Sequence, residues 1–198
     1  MICQKYMIRI STFMCLALSL SCNGNSKQPH TQSESKESAI QSHASASPAV
    51  APTSVEPTKI IPDFTFYILQ SGIRFSREDL AKDGKNIVFI LFDPSCSHCQ
   101  HEARDLGQHY SRVKDVHVYF VSMNDPALMS TFLDTYAKPL IGKDNITLLY
   151  DRNAEFINKF HIPSQYPATY VYGSDGILKQ HWSGEKDIEE VIAAINQV

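Results

Sequence analysis

The feature that most constrains this chain is an apolar run that leads directly into a pair of cysteines. Residues 86–92 read NIVFILF, which is a continuous apolar run rich in β-branched side chains. Such runs are typical of strands covered on both faces at the centre of an α/β sheet. Cys96 and Cys99 follow within the stretch DPSCSHCQHE, where a helical pattern begins. The sequence therefore predicts a strand that places a C-x-x-C pair at the start of a helix.

The distribution of the cysteines excludes a fold held together by disulfides. The chain contains five cysteines, and the three outside the pair are Cys3, Cys15 and Cys22. A small domain stabilised by disulfides would have more bridges, spread along the chain. A disulfide within C-x-x-C closes too short a loop to restrict the unfolded chain much, so a purely structural role on a binding module is a weak alternative.

The N-terminal residues have the pattern of an export signal. Lys5 and Arg9 precede an apolar core that ends in LSLSC at Cys22, and this core is short for a membrane span. The pattern resembles a bacterial lipoprotein signal peptide over residues 1–22, although Ser19 stands where an aliphatic residue is usual. That resemblance implies lipidation of Cys22. Plain secretion and an uncleaved anchor remain alternatives, and all three predict a location outside the cytoplasm.

The next segment, residues 23–58, is predicted to be a disordered tether. It is rich in Ser, Ala, Pro and Gln and has no aromatic residue, so it cannot bury enough apolar surface to offset its ordering entropy. Residues 59–198 then form the predicted domain. The formal net charge of −3 gives no indication of a nucleic-acid partner.

The domain is predicted to be an α/β fold with a mixed central sheet flanked by helices. Residues 63–68 and 73–75 predict an opening β-hairpin, and Ser76 with Asp79 predicts a capped short helix to Ala81. The later predicted segments are strands at 86–92, 116–122 and 146–150, helices at 97–113, 125–136 and 154–160, a hairpin of 168–173 and 177–182, and a helix at 187–197. The main order is summarised as β-α-β-α-β-β-α, preceded by the extra N-terminal hairpin.

A cysteine pair at a helix N-terminus favours thiol–disulfide exchange. Free N–H groups and the positive end of the helix dipole stabilise a thiolate there, and C-x-x-C thiols in such places have lowered pKa values. Cys96 at the edge of the first turn is the predicted attacking thiolate. Cys99 lies deeper and is the predicted resolving thiol.

These features together resemble the thioredoxin superfamily. The strand–CxxC–helix unit, the order of segments and the stretch SQYPATYVYGSDG carry the resemblance, and the hairpin and tether resemble its membrane-attached TlpA/ResA-like branch. The resemblance implies that Pro167 is a cis-proline facing the pair. It also implies that Glu102, six residues after Cys96, moves protons to or from Cys99. Tyr166 precedes that proline and is a candidate contact for the substrate chain.

The sequence departs from this branch inside the cysteine motif. Ser95 and His98 stand where the branch usually has Trp and Pro, and Arg104 and Ile90 replace two further characteristic residues. An imidazole between the cysteines can stabilise the Cys96 thiolate, which makes the disulfide more oxidising. His98 therefore favours an oxidase or isomerase of the DsbA type, whereas the scaffold favours a reductase.

Two other chemistries remain as alternatives. Cys96, His98, Cys99 and His101 could bind zinc or copper, although no second ligand pair follows and adjacent residues make a strained ligand set. A thiol peroxidase would need Thr or Ser three residues before the reactive cysteine, where this chain has Asp93.

The sequence thus predicts an extracytoplasmic thiol–disulfide oxidoreductase, with reduction as the favoured direction. Its expected partners are cysteine-containing exported client proteins and, as the resemblance implies, a membrane thiol donor. No organic cofactor and no metal are expected, because the cysteine pair is itself the redox centre.

Overall fold

A computed structural model describes residues 56–197. The strands are β1 (Thr65–Ile68), β2 (Arg74–Ser76), β3 (Ile87–Leu91), β4 (His117–Ser122), β5 (Ile146–Tyr150), β6 (Ala168–Tyr172) and β7 (Leu178–Ser183). The α-helices are α1 (Ser97–Gln108), α2 (Pro126–Tyr136), α3 (Glu155–Lys159) and α4 (Ile188–Asn196). The predicted signal peptide, with Cys22, and nearly all of the predicted tether lie outside the described residues. At the domain edge, the Thr58 N–H donates to the carbonyl of Phe160 over 3.1 Å.

The seven strands form one mixed sheet in the order β2-β1-β5-β4-β3-β6-β7. β3 lies in the interior of the sheet, next to the central strand β4, and is parallel to β4 on one side and antiparallel to β6 on the other. Every residue of β3 is buried, as expected for a strand covered on both faces. The thioredoxin-like α/β fold is therefore confirmed, including the N-terminal hairpin, which joins the sheet through β5.

Helix ends account for most of the differences from the predicted segments. α1 ends at Gln108 rather than at Val113, and a 3-10 turn (Tyr110–Arg112) follows it. In that turn the N–H groups of Arg112 and Val113 donate to carbonyls three residues back, those of His109 and Tyr110, so the α-helical hydrogen-bond pattern stops. The Val113 carbonyl accepts a hydrogen bond from the Asn145 side chain over 3.0 Å. The capping box at Ser76 is present, but the segment is a single 3-10 turn that ends at Asp79, because extended backbone at Leu80 carries that side chain into the core.

The segment between β5 and β6 also differs from its prediction. α3 has only five residues, Glu155–Lys159, because Ala154 takes a left-handed conformation. The Asp151 carboxylate accepts hydrogen bonds from the N–H groups of Glu155 and Phe156 and so fixes the start of α3. Five strands follow the hairpin, one more than the summarised order contains, because Ile146–Tyr150 is a full strand paired with β1 and β4.

The core has one layer of buried side chains on each face of the sheet. Successive side chains along the inner strands point alternately into the two layers. Phe89 points into one layer, and Val88 and Ile90 point into the other. The buried aromatic side chains of these two layers include Phe64, Phe66, Phe89, Phe92, Phe120 and Trp182. No helix among residues 56–197 is long and apolar enough to cross a membrane.

Candidate active site

The cysteine pair lies where β3 gives way to α1. Cys96 is the N-cap residue of α1 and is half-buried, and its N–H donates to the Asp93 carbonyl over 3.1 Å. The Asp93 carboxylate in turn accepts hydrogen bonds from the N–H and hydroxyl of Ser95, at 2.8 and 2.6 Å. This turn presents the Cys96 thiol at the edge of the helix N-terminus, as predicted.

Cys99 occupies a different environment from Cys96, although only one helical turn separates them. Its side chain is 2 % exposed and packs in the core layer beneath α1. Burial raises the pKa of the Cys99 thiol above its usual range, and the neighbouring Cys96 raises it further. Both cysteines are free thiols in the structure. The predicted contrast between an accessible and a deep thiol is thus present.

The loop before β6 faces the pair. The Tyr166–Pro167 peptide bond is cis, as the position of Pro167 had indicated. The Tyr166 carbonyl lies 3.8 Å from the Cys96 sulfur, and the Tyr166 side chain is half-buried. The Pro167 carbonyl accepts a hydrogen bond from Gly184 over 2.7 Å, which ties this loop to the end of β7.

Glu102 is a buried carboxylic acid on the inner face of α1, one turn beyond Cys99. Its side chain is 3 % exposed, and Thr169 of β6 donates a hydrogen bond to Oε1 over 3.2 Å. Burial is the main cause that raises the pKa of Glu102 to about 7, and the negative charges of Glu185 and Asp105 add to it. Glu102 is therefore not an ordinary surface residue of the helix, and it can exchange protons near neutral pH.

His98 is exposed on the outer face of the first turn of α1, away from Cys99. Its Nδ1 contacts Oε2 of Glu185, a residue in the loop between β7 and α4. His101, one turn further on, also faces Glu185, with 3.5 Å between its Nδ1 and Oε1. The alternative metal site of Cys96, His98, Cys99 and His101 is not assembled as one ligand set, because Cys99 is buried beneath the helix while both histidines face solvent.

An open groove of about 900 Å³ runs over Cys96. His98 and Glu185 line one part of it, and Gln165 and Tyr166 line the part next to the cis-proline. An extended segment of another protein could lie here with a disulfide next to the Cys96 sulfur. The arrangement is thus suited to an exchange reaction in which Cys96 meets the partner and Cys99 stays shielded.

The fold and the site together define a thioredoxin-like protein with one C-x-x-C pair. Residues 57–181 match the model of the AhpC/TSA family, and the chain belongs to that family. No curated protein sequence matches the chain.

Several solved structures share the fold. A secreted disulfide oxidoreductase of Mycobacterium tuberculosis, homologous to E. coli DsbE, is 24 % identical with a TM-score of 0.55, covering 67 % of this chain and 93 % of its own. The exposed lipoprotein thioredoxin of Streptococcus pneumoniae is 15 % identical with a TM-score of 0.54, covering 69 % and 100 %. The mitochondrial 2-Cys peroxiredoxin of Plasmodium falciparum is 16 % identical with a TM-score of 0.53, covering 70 % and 91 %.

Sequence reasoning missed two residues of the site, Thr169 and Glu185. Thr169 is the second residue of the strand that follows Pro167. Because side chains alternate along a strand, Thr169 points to the opposite face from Ala168, which is the face that α1 covers. That signal was available. Glu185 had no local signal, because only the pairing of β6 with β7 brings its loop next to α1.

Proposed function

We propose that this protein is a membrane-tethered, extracytoplasmic thiol–disulfide oxidoreductase that reduces disulfides of exported client proteins. Lipidated Cys22 would hold it at the membrane, and a membrane-embedded thiol donor would restore its reduced form. The observation that carries the proposal is the asymmetry of the pair, with Cys96 open to the groove and Cys99 2 % exposed. This asymmetry supports the roles of attacking and resolving thiol.

The exchange proceeds in two steps that balance in electrons and protons. The Cys96 thiolate attacks one sulfur of the client disulfide, a mixed disulfide forms, and the other client sulfur leaves as a thiolate. Cys99 then gives its proton to the Glu102 carboxylate and attacks the Cys96 sulfur. The second client sulfur leaves as a thiolate, and the client has then gained two electrons. The enzyme keeps a Cys96–Cys99 disulfide until the donor reduces it.

Glu102 suits the second step because a buried thiol does not ionise unaided. The raised pKa of Cys99 means that this thiol needs a base within the protein at the moment of attack. A carboxylate with a pKa of about 7 is half-ionised at neutral pH, so it can accept that proton and later return it. His98 and Pro167 would adjust the stability of the thiolate and the approach to it, and Tyr166 would contact the client chain.

The proposed location rests on the export-type N-terminus and on the descriptions of two proteins with similar structures. One similar structure is described as secreted and another as an exposed lipoprotein. Both support a location outside the cytoplasm, where dedicated partners rather than a glutathione buffer decide the direction of exchange.

Oxidation or isomerisation of clients is the second candidate function, and His98 is the observation that favours it. An imidazole between the two cysteines stabilises the reduced pair, which raises its reduction potential. Peroxide reduction has less support, although a similar fold belongs to a peroxiredoxin. The Asp93 side chain, three residues before Cys96, holds the turn through Ser95 and offers no hydroxyl.

Trapping of clients tests the proposal. Cys99→Ser in the full chain should leave Cys96 joined to clients in mixed disulfides, because no resolving thiol remains. Cys96→Ser is the matched control and should trap nothing, since Cys99 is buried. The products are identified by mass spectrometry after non-reducing separation and alkylation. Equal trapping by Cys96→Ser would reverse the assigned roles, and no trapping by either variant would reject thiol exchange.

A further inference from the structure

We propose that His98, His101 and Glu185 form a binding site for a divalent metal ion of the zinc class at the rim of the groove. The site uses neither thiol as a ligand, and the proposal does not depend on the direction of thiol exchange. Two imidazoles and one carboxylate are a ligand set that zinc sites use, with the fourth position left to water.

The three side chains converge from two parts of the fold. His98 and His101 are three residues apart on α1 and share one face of the helix, whereas Glu185 follows β7. One ring nitrogen of each histidine and one oxygen of Glu185 lie within 4.8 Å of one another. Ligand atoms around a tetrahedral zinc ion are roughly 3.3 Å apart, given bonds of about 2.0–2.1 Å. Because all three side chains are exposed, side-chain rotations can close that gap.

The backbone under the site is fixed on both sides. The two histidines lie on consecutive turns of α1, and the antiparallel pairing of Ala168 with Ser183 sets the end of β7. The next residue, Gly184, donates its N–H to the Pro167 carbonyl over 2.7 Å and has a φ of 89°. Glu185 therefore starts from an anchored position opposite α1, so that binding would order side chains but not a loop.

The charges around the site favour a cation. Each oxygen of Glu185 faces one imidazole, so the carboxylate already lies between the two histidines. Lys186, the nearest cation in sequence, points elsewhere: its Nζ lies 3.5 Å from Glu190 and 5.3 Å from the centre of the Trp182 ring. Further acidic side chains line the same groove: Asp93, Asp105 and Asp187.

The experiment is a zinc-binding titration of the full chain. The Cys96–Cys99 pair is first oxidised and the remaining thiols are alkylated, so that no thiolate can bind the ion. Zn²⁺ affinity is then measured by competition with a chromophoric chelator for the wild type, His101→Ala and Glu185→Gln. The matched control is His117→Ala, because His117 pairs with Asp83 over 3.0 Å on the surface without a second imidazole.

The proposal predicts one Zn²⁺ per chain whose affinity falls at least tenfold in both site variants and stays unchanged in the control. Equal affinity in the wild type and both variants would overturn it. Loss in only one site variant would reject a three-ligand site, and an equal loss in His117→Ala would mean that the ion binds surface histidines in general. None of these outcomes bears on client trapping, so failure of this site and failure of thiol exchange are distinguishable.

Discussion

Thr169 donates a hydrogen bond to Oε1 of Glu102 over 3.2 Å, and the other carboxylate oxygen is buried without a partner. A carboxylate satisfied at one oxygen and desolvated at the other is destabilised in its charged form. Burial raises the pKa of Glu102 to about 7, and the hydrogen bond from Thr169 opposes part of that rise. This hydrogen bond also connects the strand after the cis-proline with the helix that carries both cysteines.

Glu102→Gln should slow the resolving step without abolishing the first attack. The amide has the shape of the acid but cannot accept a proton from Cys99, so we expect the step to slow about 100-fold. In the wild type the rate should rise with pH through an inflection near 7, as Glu102 ionises, and the variant should lack that inflection. The measurement is rapid-mixing kinetics of a Cys96–glutathione mixed disulfide, with chelator present. An unchanged profile in the variant would remove Glu102 from the proton path.

The same carboxyl should make stability depend on pH. Its pKa is raised from 4.5 to about 7 by folding, so between these values the folded protein keeps a proton that the unfolded chain releases. The unfolding free energy should therefore fall as pH rises through this window, by roughly 3 kcal/mol in all, and level off above it.

Denaturant unfolding at pH 5 and pH 8 checks this dependence, on the wild type and on Glu102→Gln. Other buried acids, such as Asp151, also contribute to the pH dependence, so the difference between the two proteins is the relevant quantity. We expect the variant to lose less stability than the wild type between these pH values. A parallel loss in both proteins would show that Glu102 does not titrate in this range.

His98→Pro should lower the reduction potential of the pair. Proline is tolerated in the first turn of a helix, where the N–H has no partner within the helix, so α1 should keep its fold. Removing the imidazole withdraws stabilisation from the reduced form, and we expect a decrease of about 30 mV, equivalent to a tenfold change in the equilibrium constant. His101→Ala is the matched control, because His101 also faces Glu185 but lies outside the C-x-x-C motif. A potential that does not change in His98→Pro would make His98 a bystander.

Local patterns predicted the centre of this fold well. The apolar run of residues 86–92 predicted the buried strand β3, and the C-x-x-C motif that follows it predicted the start of α1, where Cys96 is the N-cap residue. The contrast between Cys96 and Cys99 also follows from helical periodicity. Helix ends were less predictable, because the backbone after Gln108 tightens into a 3-10 turn in which the Arg112 N–H donates to the His109 carbonyl and the Val113 N–H donates to the Tyr110 carbonyl.

Contacts between side chains from distant segments could not be predicted from local sequence patterns. Glu102 was placed near the pair by resemblance, yet its burial depends on β6 crossing beneath α1. Glu185 lies 87 residues from His98, and only the antiparallel pairing of β7 with β6 brings them together. Such residues carry no local signal because their meeting depends on the whole sheet.

The reduction potential of the Cys96–Cys99 pair in the full chain is the most direct test of the proposed function. The chain is equilibrated with dithiothreitol or glutathione buffers, alkylated, and digested, and the mass of the peptide with both cysteines reports the oxidised fraction. We predict a potential near or below that of thioredoxin, about −270 mV. A value near that of DsbA, about −120 mV, would contradict this prediction and assign the protein to client oxidation or isomerisation.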